Sequence, residues 1–139
     1  RYHMSNIMAA IGLGQLTRFP AMAQTRQRLA RRYDQLLEAH PRIHPLPRNY
    51  DHVVPHIYVV RVQGAWDRTA LRDRLQSMGI QTGIHYLPNH RLSLYDTGDS
   101  KSLPVTELIF SQLLTLPLHA DMSDDDVDYV VSSVAACLD

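Results

Sequence analysis

The sequence predicts an α/β fold, a two-layer sandwich in which helices cover a small sheet after one long helical entry. Apolar residues recur at helical spacing through most of the first forty positions, where Ser5 is placed to cap a helix. Residues 57–62 (IYVVRV) form a β-branched and aromatic run that is typical of a strand. Beyond this run, strand-like and helix-like segments alternate. At 139 residues the chain has the size of one ordinary domain.

Two helices are expected at the N-terminal end. The first should run from Ser5 to Phe19 and end there, because Pro20 cannot continue a hydrogen-bonded helix but can begin a second one. Its apolar face carries Ile7, Ile11 and Leu16. The second helix should extend to about Glu38. Its buried stripe is predicted to contain Met22, Leu29, Tyr33, Leu36 and Leu37, and its solvated face Arg26, Arg28, Arg31 and Arg32.

The middle of the chain is predicted to contain a linker, a strand, a helix and a second strand. The linker is kept extended by Pro41, Pro45 and Pro47. After the strand at 57–62, Asp67 is placed to cap a helix that Gly79 stops. The apolar residues of that helix, spaced i, i+4, i+7, are Leu71, Leu75 and Met78. Residues 80–85 are predicted to form the second strand, and residues 86–101 a long connection of a kind that is often functional.

The C-terminal part is predicted to contain a helix, a third strand and a last helix. Ser102 and Pro104 start the first of these helices, which should run to about Leu113, and residues 114–118 form the strand. Ser123 caps the last helix, whose first turn carries three aspartates that suit the helix dipole. Its apolar stripe is formed by Val127, Val130, Val131, Val134 and Leu138.

Composition excludes several classes of protein. Fourteen Lys and Arg residues balance fourteen Asp and Glu residues, which argues against nucleic-acid binding and against a polybasic membrane anchor. Cys137 is the only cysteine, so no intrachain disulfide or thiolate metal cluster can form. No apolar run reaches the ~20 residues of a membrane span, and no signal-peptide pattern is present. We therefore expect a cytoplasmic protein.

The eight histidines give little support for a metal site. His52 and His56 are four residues apart, a spacing that aligns side chains only on a helix, and the proline between them forbids one. His40 and His44 fail in the same way. No metal is predicted.

A more promising group lies where the second predicted strand enters the long connection. It consists of His85, Tyr86 and His90, whose imidazoles and phenol can hydrogen-bond a sugar or a phosphate. A buried His-Tyr pair that serves only the fold explains the pattern equally well. His3 precedes a capped helix, where it can either help to bind an anion or lie exposed without a role.

Three segments resemble successive signatures of one enzyme family. They are RYHMSNIMAAIG at residues 1–12, GIQTGIHYLPNH at 79–90 and LPLHADMSDDDVD at 116–128. In this order they resemble the C-terminal third of the DegT/StrS family of pyridoxal-phosphate (PLP) sugar aminotransferases. The resemblance implies homodimers that transfer an amino group from glutamate to a keto sugar carried on a nucleotide.

The resemblance also implies a place in the fold. Residues 1–20 would be a helix at the end of the large-domain region of the aspartate-aminotransferase fold (PLP transferase fold type I). Residues 21–139 would be its C-terminal small domain, with a mostly antiparallel sheet. The lysine that holds PLP would lie upstream of residue 1, so the chain is expected to be a fragment that is inactive alone. Lys101, the only lysine, lies in a polar turn and is predicted to be a surface residue.

The same resemblance implies roles for individual positions. Arg1 stands where the family commonly has an Asn that reaches the PLP phosphate of the neighbouring subunit, and His3 stands at the basic position of that signature. His85 and Tyr86 match the family's Gly-x-His-Tyr segment near the substrate, and His90 matches the histidine that follows it.

Two alternatives remain open. Some relatives have His in place of the PLP lysine and dehydrate sugars, and this sequence does not distinguish them from aminotransferases. The other alternative is a stand-alone module that binds a ligand or partner without catalysis. An exposed apolar face on the first helix favours the enzyme fragment, because that face would pack on a large domain, whereas a buried face favours the module.

Overall fold

In the computed structural model, residues 3–95 and 103–138 are described, and they form three strands and four α-helices. In chain order these are α1 (Asn6–Leu37), β1 (Ile43–Pro45), β2 (Tyr58–Val62), α2 (Arg68–Ser77), α3 (Pro104–Gln112), β3 (Leu113–Leu116) and α4 (Asp124–Leu138). Two short 3-10 turns, Asn89–Arg91 and Ser93–Tyr95, lie between α2 and α3. The predicted class, a small antiparallel sheet covered by helices, is confirmed.

The sheet has the strand order β1-β2-β3, and both pairs of neighbours are antiparallel. Tyr58, Val60 and Val62 alternate towards the buried face of β2. α1 and α4 contact each other beside this sheet, and α2 contacts α4. α3 contacts β2, where the Arg61 guanidinium bonds the Gln112 side chain at 2.8 and 2.9 Å.

Two strand predictions were wrong. Residues 41–47 were expected to be a linker, but they contain β1, which lies at the edge of the sheet, where Pro45 costs no ladder hydrogen bond. Residues 80–85 were expected to be a strand, yet only Gly83 pairs with β3, through an isolated bridge to Thr115. The Ile80 N–H is bonded instead to the Leu75 carbonyl at the end of α2, so the segment meets the sheet at a single point.

The prediction that Pro20 separates two helices was also wrong, because α1 continues through it for 32 residues. Ser5 does cap the helix, with its Oγ accepting from the Met8 N–H at 3.3 Å. Pro20 removes only the N–H that would reach the Leu16 carbonyl. Residues 16–20 are all exposed, so water can hydrate that carbonyl and the helix tolerates the loss.

Four arginines of α1 were predicted to form a solvated face, but each makes a specific contact: Arg26, Arg28, Arg31 and Arg32. Arg26 donates to the carbonyls of Pro55, His56 and Leu118 at 3.0–3.3 Å and so ties α1 to two loops. The other three form partly exposed ion pairs, namely Arg28–Asp124, Arg31–Asp51 and Arg32–Asp128. Exposed pairs of this kind contribute at most about 1 kcal/mol each, so their main effect is on the docking of α4 and the loop against α1.

The two halves of α1 differ in their surroundings. Ala23 is the first buried residue of the helix, and Leu29, Tyr33 and Leu37 enter the core as predicted. In the N-terminal half every apolar side chain of the predicted face is exposed: Ile7 is 74%, Ile11 56% and Leu16 66% exposed. An apolar depression of about 550 Å³ runs along this half of the helix.

Candidate functional site

His85 is held against β3 by its own side chain and by the backbone beside it. Its Nδ1 lies 3.0 Å from the Thr115 Oγ1. Gly83 and Thr115 exchange two backbone hydrogen bonds, of 3.0 and 2.9 Å, which place the segment alongside the strand. Because Nδ1 contacts Thr115, a ligand would meet this half-buried imidazole at Nε2.

Gly83 is required by the position of the His85 ring. A Cβ at residue 83 would lie 2.6 Å from His85 Cε1 and 3.2 Å from Nδ1, both inside normal contact distance. The glycine therefore lets the imidazole fold back over its own chain to reach Thr115. The Gly-x-His-Tyr spacing thus has a steric cause in this structure.

Tyr86 contacts His85 edge-on and points in another direction. The two ring centroids are 4.8 Å apart with an interplanar angle of 84°, and the peptide bond between the residues is cis. The Tyr86 side chain is 69% exposed and borders an apolar groove of about 270 Å³, whose other lining residues include Pro88, Val105 and Phe110. Its phenol is accessible to a ligand.

His90 faces α3 and joins a hydrogen-bonded cluster around Glu107 there. Its Nε2 lies 2.5 Å from Glu107 Oε1, and Arg91 donates to both carboxylate oxygens of the same residue. The hydrogen bonds from Arg91 and from His90 lower the pKa of Glu107 to about 2. The guanidinium of Arg91 also lies over the ring of Phe110, 4.9 Å from its centroid.

A polar cleft of about 600 Å³ opens beside His85, between the segment that follows α2 and the end of β3. Gln81, Thr82, His119 and Thr115 contribute to its lining. These amide, hydroxyl and imidazole groups can donate and accept hydrogen bonds without adding a fixed negative charge. The cleft is therefore chemically suited to a hydroxyl-rich or anionic ligand.

The structure brings the three predicted substrate-side residues together only in part. His85 and Tyr86 contact each other but border different depressions, one polar and one apolar. His90 is engaged by Glu107 through Nε2, which leaves its Nδ1 edge as the one to meet a ligand. Their roles remain predictions.

The two predicted cofactor-binding residues are less defined. Arg1 lies outside the described residues. His3 is exposed and precedes the N-cap Ser5 by two positions, close in sequence to the free backbone N–H groups of the first turn of α1. Such a helix start suits an anion, and the role of His3 stays a prediction.

Thr115 and Glu107 were not predicted from the sequence. Thr115 is 30 residues from His85, and Glu107 is 17 residues from His90. No spacing rule for helices or strands connects such positions. Only the pairing of β3 with Gly83 and the docking of α3 reveal them.

Within residues 3–95 and 103–138 no three His, Cys, Asp or Glu side chains are grouped so that they could hold a metal ion. The same residues include no helix that is long and apolar enough to cross a membrane.

Comparison with known proteins places these features in one family. The family model described as the DegT/DnrJ/EryC1/StrS aminotransferase family matches residues 1–135. Among solved structures, the chain is similar to Spr1654 of Streptococcus pneumoniae, described as a sugar aminotransferase and solved in PMP, PLP and apo forms. For the PMP form the sequences are 35% identical, the TM-score is 0.87, and the match covers 97% of this chain and 35% of that chain.

Two further solved structures are also similar to this chain. The aminotransferase TlmJ from Streptoalloteichus hindustanus is 34% identical with a TM-score of 0.82, covering 99% of this chain and 38% of that one. A DegT DnrJ EryC1 StrS aminotransferase from Brucella abortus is 26% identical with a TM-score of 0.82, covering 96% of this chain and 36% of that one.

The chain therefore spans just over a third of the length of the solved structures it matches. The match of the family model to residues 1–135 shows that the chain belongs to the DegT/DnrJ/EryC1/StrS aminotransferase family, and the similarity to Spr1654 and TlmJ agrees with it.

Proposed function

We propose that this chain is the C-terminal portion of a PLP-dependent enzyme that transfers an amino group from glutamate to a keto sugar linked to a nucleotide. Family membership and the PLP and PMP forms of Spr1654 support the reaction class and the cofactor. The glutamate donor and the nucleotide-linked substrate come from the resemblance of the Gly83 to His90 segment to the family signature. The working enzyme is proposed to be a cytoplasmic homodimer.

The observation that carries this proposal is the uncovered N-terminal half of α1. Ile7, Ile11 and Leu16 are all more than half exposed, beside an apolar depression of about 550 Å³. An isolated helix as short as this half of α1 is marginal in water, so its stability requires a packing partner. A large domain meets that need, whereas a stand-alone module would have buried the face itself. We therefore propose that residues 1–20 belong to the large-domain region and residues 21–139 to the small domain.

The described residues fit only one part of PLP, its phosphate. His3 stands beside the first turn of α1, and Arg1 is proposed to bind the phosphate with it, across the dimer. No lysine is present in residues 3–95 or 103–138 to attach the cofactor covalently. When bound, PLP supplies the electron sink for amino transfer, and its attachment is proposed to come from a lysine in the remaining part of the enzyme.

His85, Tyr86 and His90 are proposed to bind and orient the sugar nucleotide. His85 presents Nε2 because Thr115 engages Nδ1, and the exposed phenol of Tyr86 can donate to a hydroxyl or a phosphate. His90 presents its Nδ1 edge, since Glu107 accepts from Nε2.

The first experiment is to read the coding sequence upstream of the Arg1 codon and purify the complete protein that it encodes. We expect an in-frame extension with a lysine ahead of this segment, PLP absorbance on the purified protein, and glutamate-dependent amination of keto sugars linked to nucleoside diphosphates. The 139-residue chain alone should show neither. A histidine at the lysine position would indicate a sugar dehydratase. A start codon immediately before Arg1 would contradict the enzyme proposal.

The site residues are tested by matched substitutions in that complete protein. His85→Asn and His90→Asn should each lower kcat/KM for the sugar nucleotide about tenfold or more, mainly through KM. His52→Asn is the control, because His52 is exposed in a turn within the connection between β1 and β2. Equal activity of the three variants would remove His85 and His90 from the site.

A further inference from the structure

Glu107 is the point at which α3 fixes the connection that carries Tyr86 and His90. It binds His90 through Oε1 and binds Arg91 through both oxygens. The side chains of Glu107 and His90 are 35% and 26% exposed, so the cluster is partly shielded from solvent. Phe110, one helical turn further along α3, lies beneath the guanidinium of Arg91.

No other residue in the described part of the chain holds this connection through a side-chain hydrogen bond. The backbone bonds of residues 88–95 are local: Arg91 to Pro88, Leu92 to Asn89 and Tyr95 to Leu92. These bonds shape the 3-10 turns but do not orient them relative to the sheet. The orientation of His90 against the sandwich therefore depends on Glu107 and on the stacking of Arg91 on Phe110.

The chemistry of the pair also fixes the proton on His90. An ionised carboxylate can only accept hydrogen bonds, so the His90 Nε2 must carry the proton. In the neutral imidazole Nδ1 then bears the lone pair and acts as the acceptor. The bidentate bond from Arg91 favours the ionised form of Glu107 and so maintains this arrangement.

We propose that Glu107 is a positioning residue whose carboxylate sets both the orientation and the Nε2–H tautomer of His90, so that Nδ1 faces the ligand as an acceptor. The orientation by Glu107 stands on the contacts in this chain alone. Its consequence for substrate rests on the proposed function, in which His90 lies beside the sugar nucleotide. Nδ1 would then accept a hydrogen bond from a sugar hydroxyl.

The test measures the ring nitrogens of His90 directly in the 139-residue chain. Two-bond ¹H–¹⁵N correlation spectra at neutral pH distinguish the two tautomers, and the His90 signals are assigned by their loss in His90→Gln. We expect wild-type His90 to be predominantly the Nε2–H form. In Glu107→Ala the two nitrogen shifts should move towards the averaged values of an exposed histidine such as His52.

Two further variants keep the result interpretable. Asp128→Ala breaks a comparable bidentate pair with Arg32 in the contact between α1 and α4 and should leave the His90 signals unchanged. Should Glu107→Ala fail to fold, Glu107→Gln retains an acceptor oxygen for His90 but loses the charge. It should retain the Nε2–H form only in part. Unchanged His90 signals in a folded Glu107 variant would overturn the proposal.

The complete enzyme gives a second, separate readout. Glu107→Ala should raise KM for the sugar nucleotide about tenfold with kcat within about twofold, and Asp128→Ala should change neither. A tautomer change without an effect on KM would retain the positioning of His90 but contradict its place beside the substrate. Absence of any aminotransferase activity in the complete wild-type enzyme would contradict the proposed function but would not affect the NMR result on His90.

Discussion

At the scale of single residues, the site depends on contacts that a side chain at one glycine would destroy. Gly83→Ala would place a Cβ 2.6 Å from His85 Cε1, so the ring must leave Thr115 or the backbone must shift. Overpacking of this kind costs about 1–3 kcal/mol. We expect the free energy of unfolding in urea to fall by that amount, with loss of the His85 to Thr115 hydrogen bond.

Gly12→Ala is the matched control for this substitution. No heavy atom lies within 4 Å of a Cβ at residue 12, which is in the uncovered half of α1. In the 139-residue chain the free energy of unfolding should therefore change by less than about 0.5 kcal/mol. A similar loss of stability in both alanine variants would show that the close approach to His85 is not the cause.

The residue scale also shows what the sequence could predict of the site. The position of His85, Tyr86 and His90 at the start of a long connection indicated a candidate group from local pattern alone. Thr115 and Glu107 gave no such indication, because hydroxyls and carboxylates are common on surfaces and their partners are remote in sequence. The contacts that orient the site are tertiary, and the amino-acid sequence alone does not reveal them.

At the scale of elements, proline has opposite effects in two helices. In α1, Pro20 is internal, and replacement by Ala restores the hydrogen bond to Leu16 and favours the helix locally by about 3 kcal/mol. Because this half is not packed on the core, the gain should appear as helicity of residues 6–19 and slower amide exchange there. The global unfolding free energy should stay within about 0.5 kcal/mol.

Pro104→Ala provides the comparison, since Pro104 occupies the first position of α3, where no intrahelical N–H bond is lost. Circular dichroism and amide exchange should change little in that variant. A gain of several kcal/mol in global stability for Pro20→Ala would mean that the first half of α1 is coupled to the core after all.

The errors in predicting elements have related physical causes. Pro20 was read as a break because a helix interior disfavours proline, yet exposure lets water satisfy the freed carbonyl. β1 was read as a linker because it ends in Pro45, which an edge strand tolerates. Residues 80–85 carry a strand-like pattern but meet β3 only at Gly83. In each case the local pattern gave the wrong element, because solvent exposure at Pro20 and the position relative to the sheet at the other two segments decided the outcome.

At the scale of the whole molecule, acid should weaken the fold through its paired carboxylates. The pKa of Glu107 is lowered from 4.5 to about 2 by its bonds to Arg91 and His90, and that of Asp128 is lowered by Arg32. A carboxylate whose pKa is depressed in the folded state stabilises the fold at pH values above its ordinary pKa. This stabilisation is lost as the pH falls through the folded-state pKa. Stability should therefore decline between about pH 4.5 and pH 2.

Burial acts in the opposite direction at Asp34, whose pKa is raised although it accepts from the Tyr58 hydroxyl at 2.6 Å. Protonation of Asp34 at low pH is therefore easier in the folded state and offsets part of the loss. Urea unfolding at pH 5 and pH 3 measures the net slope. Glu107→Gln should reduce the dependence of the unfolding free energy on pH, and Asp128 should account for part of what remains. An unchanged dependence would show that Glu107 does not contribute to it.

The continuity of α1 gives the molecule a mechanical property. Its 32 residues span about 48 Å, and the part before Pro20 extends about 21 Å beyond the packed half. Because the helix is not interrupted, a rotation of the sandwich by about 10° would swing the free end by about 4 Å. A small tilt of the sheet and its loops therefore becomes a displacement of several ångströms at residues 6–19, the half of α1 that is proposed to pack on a large domain.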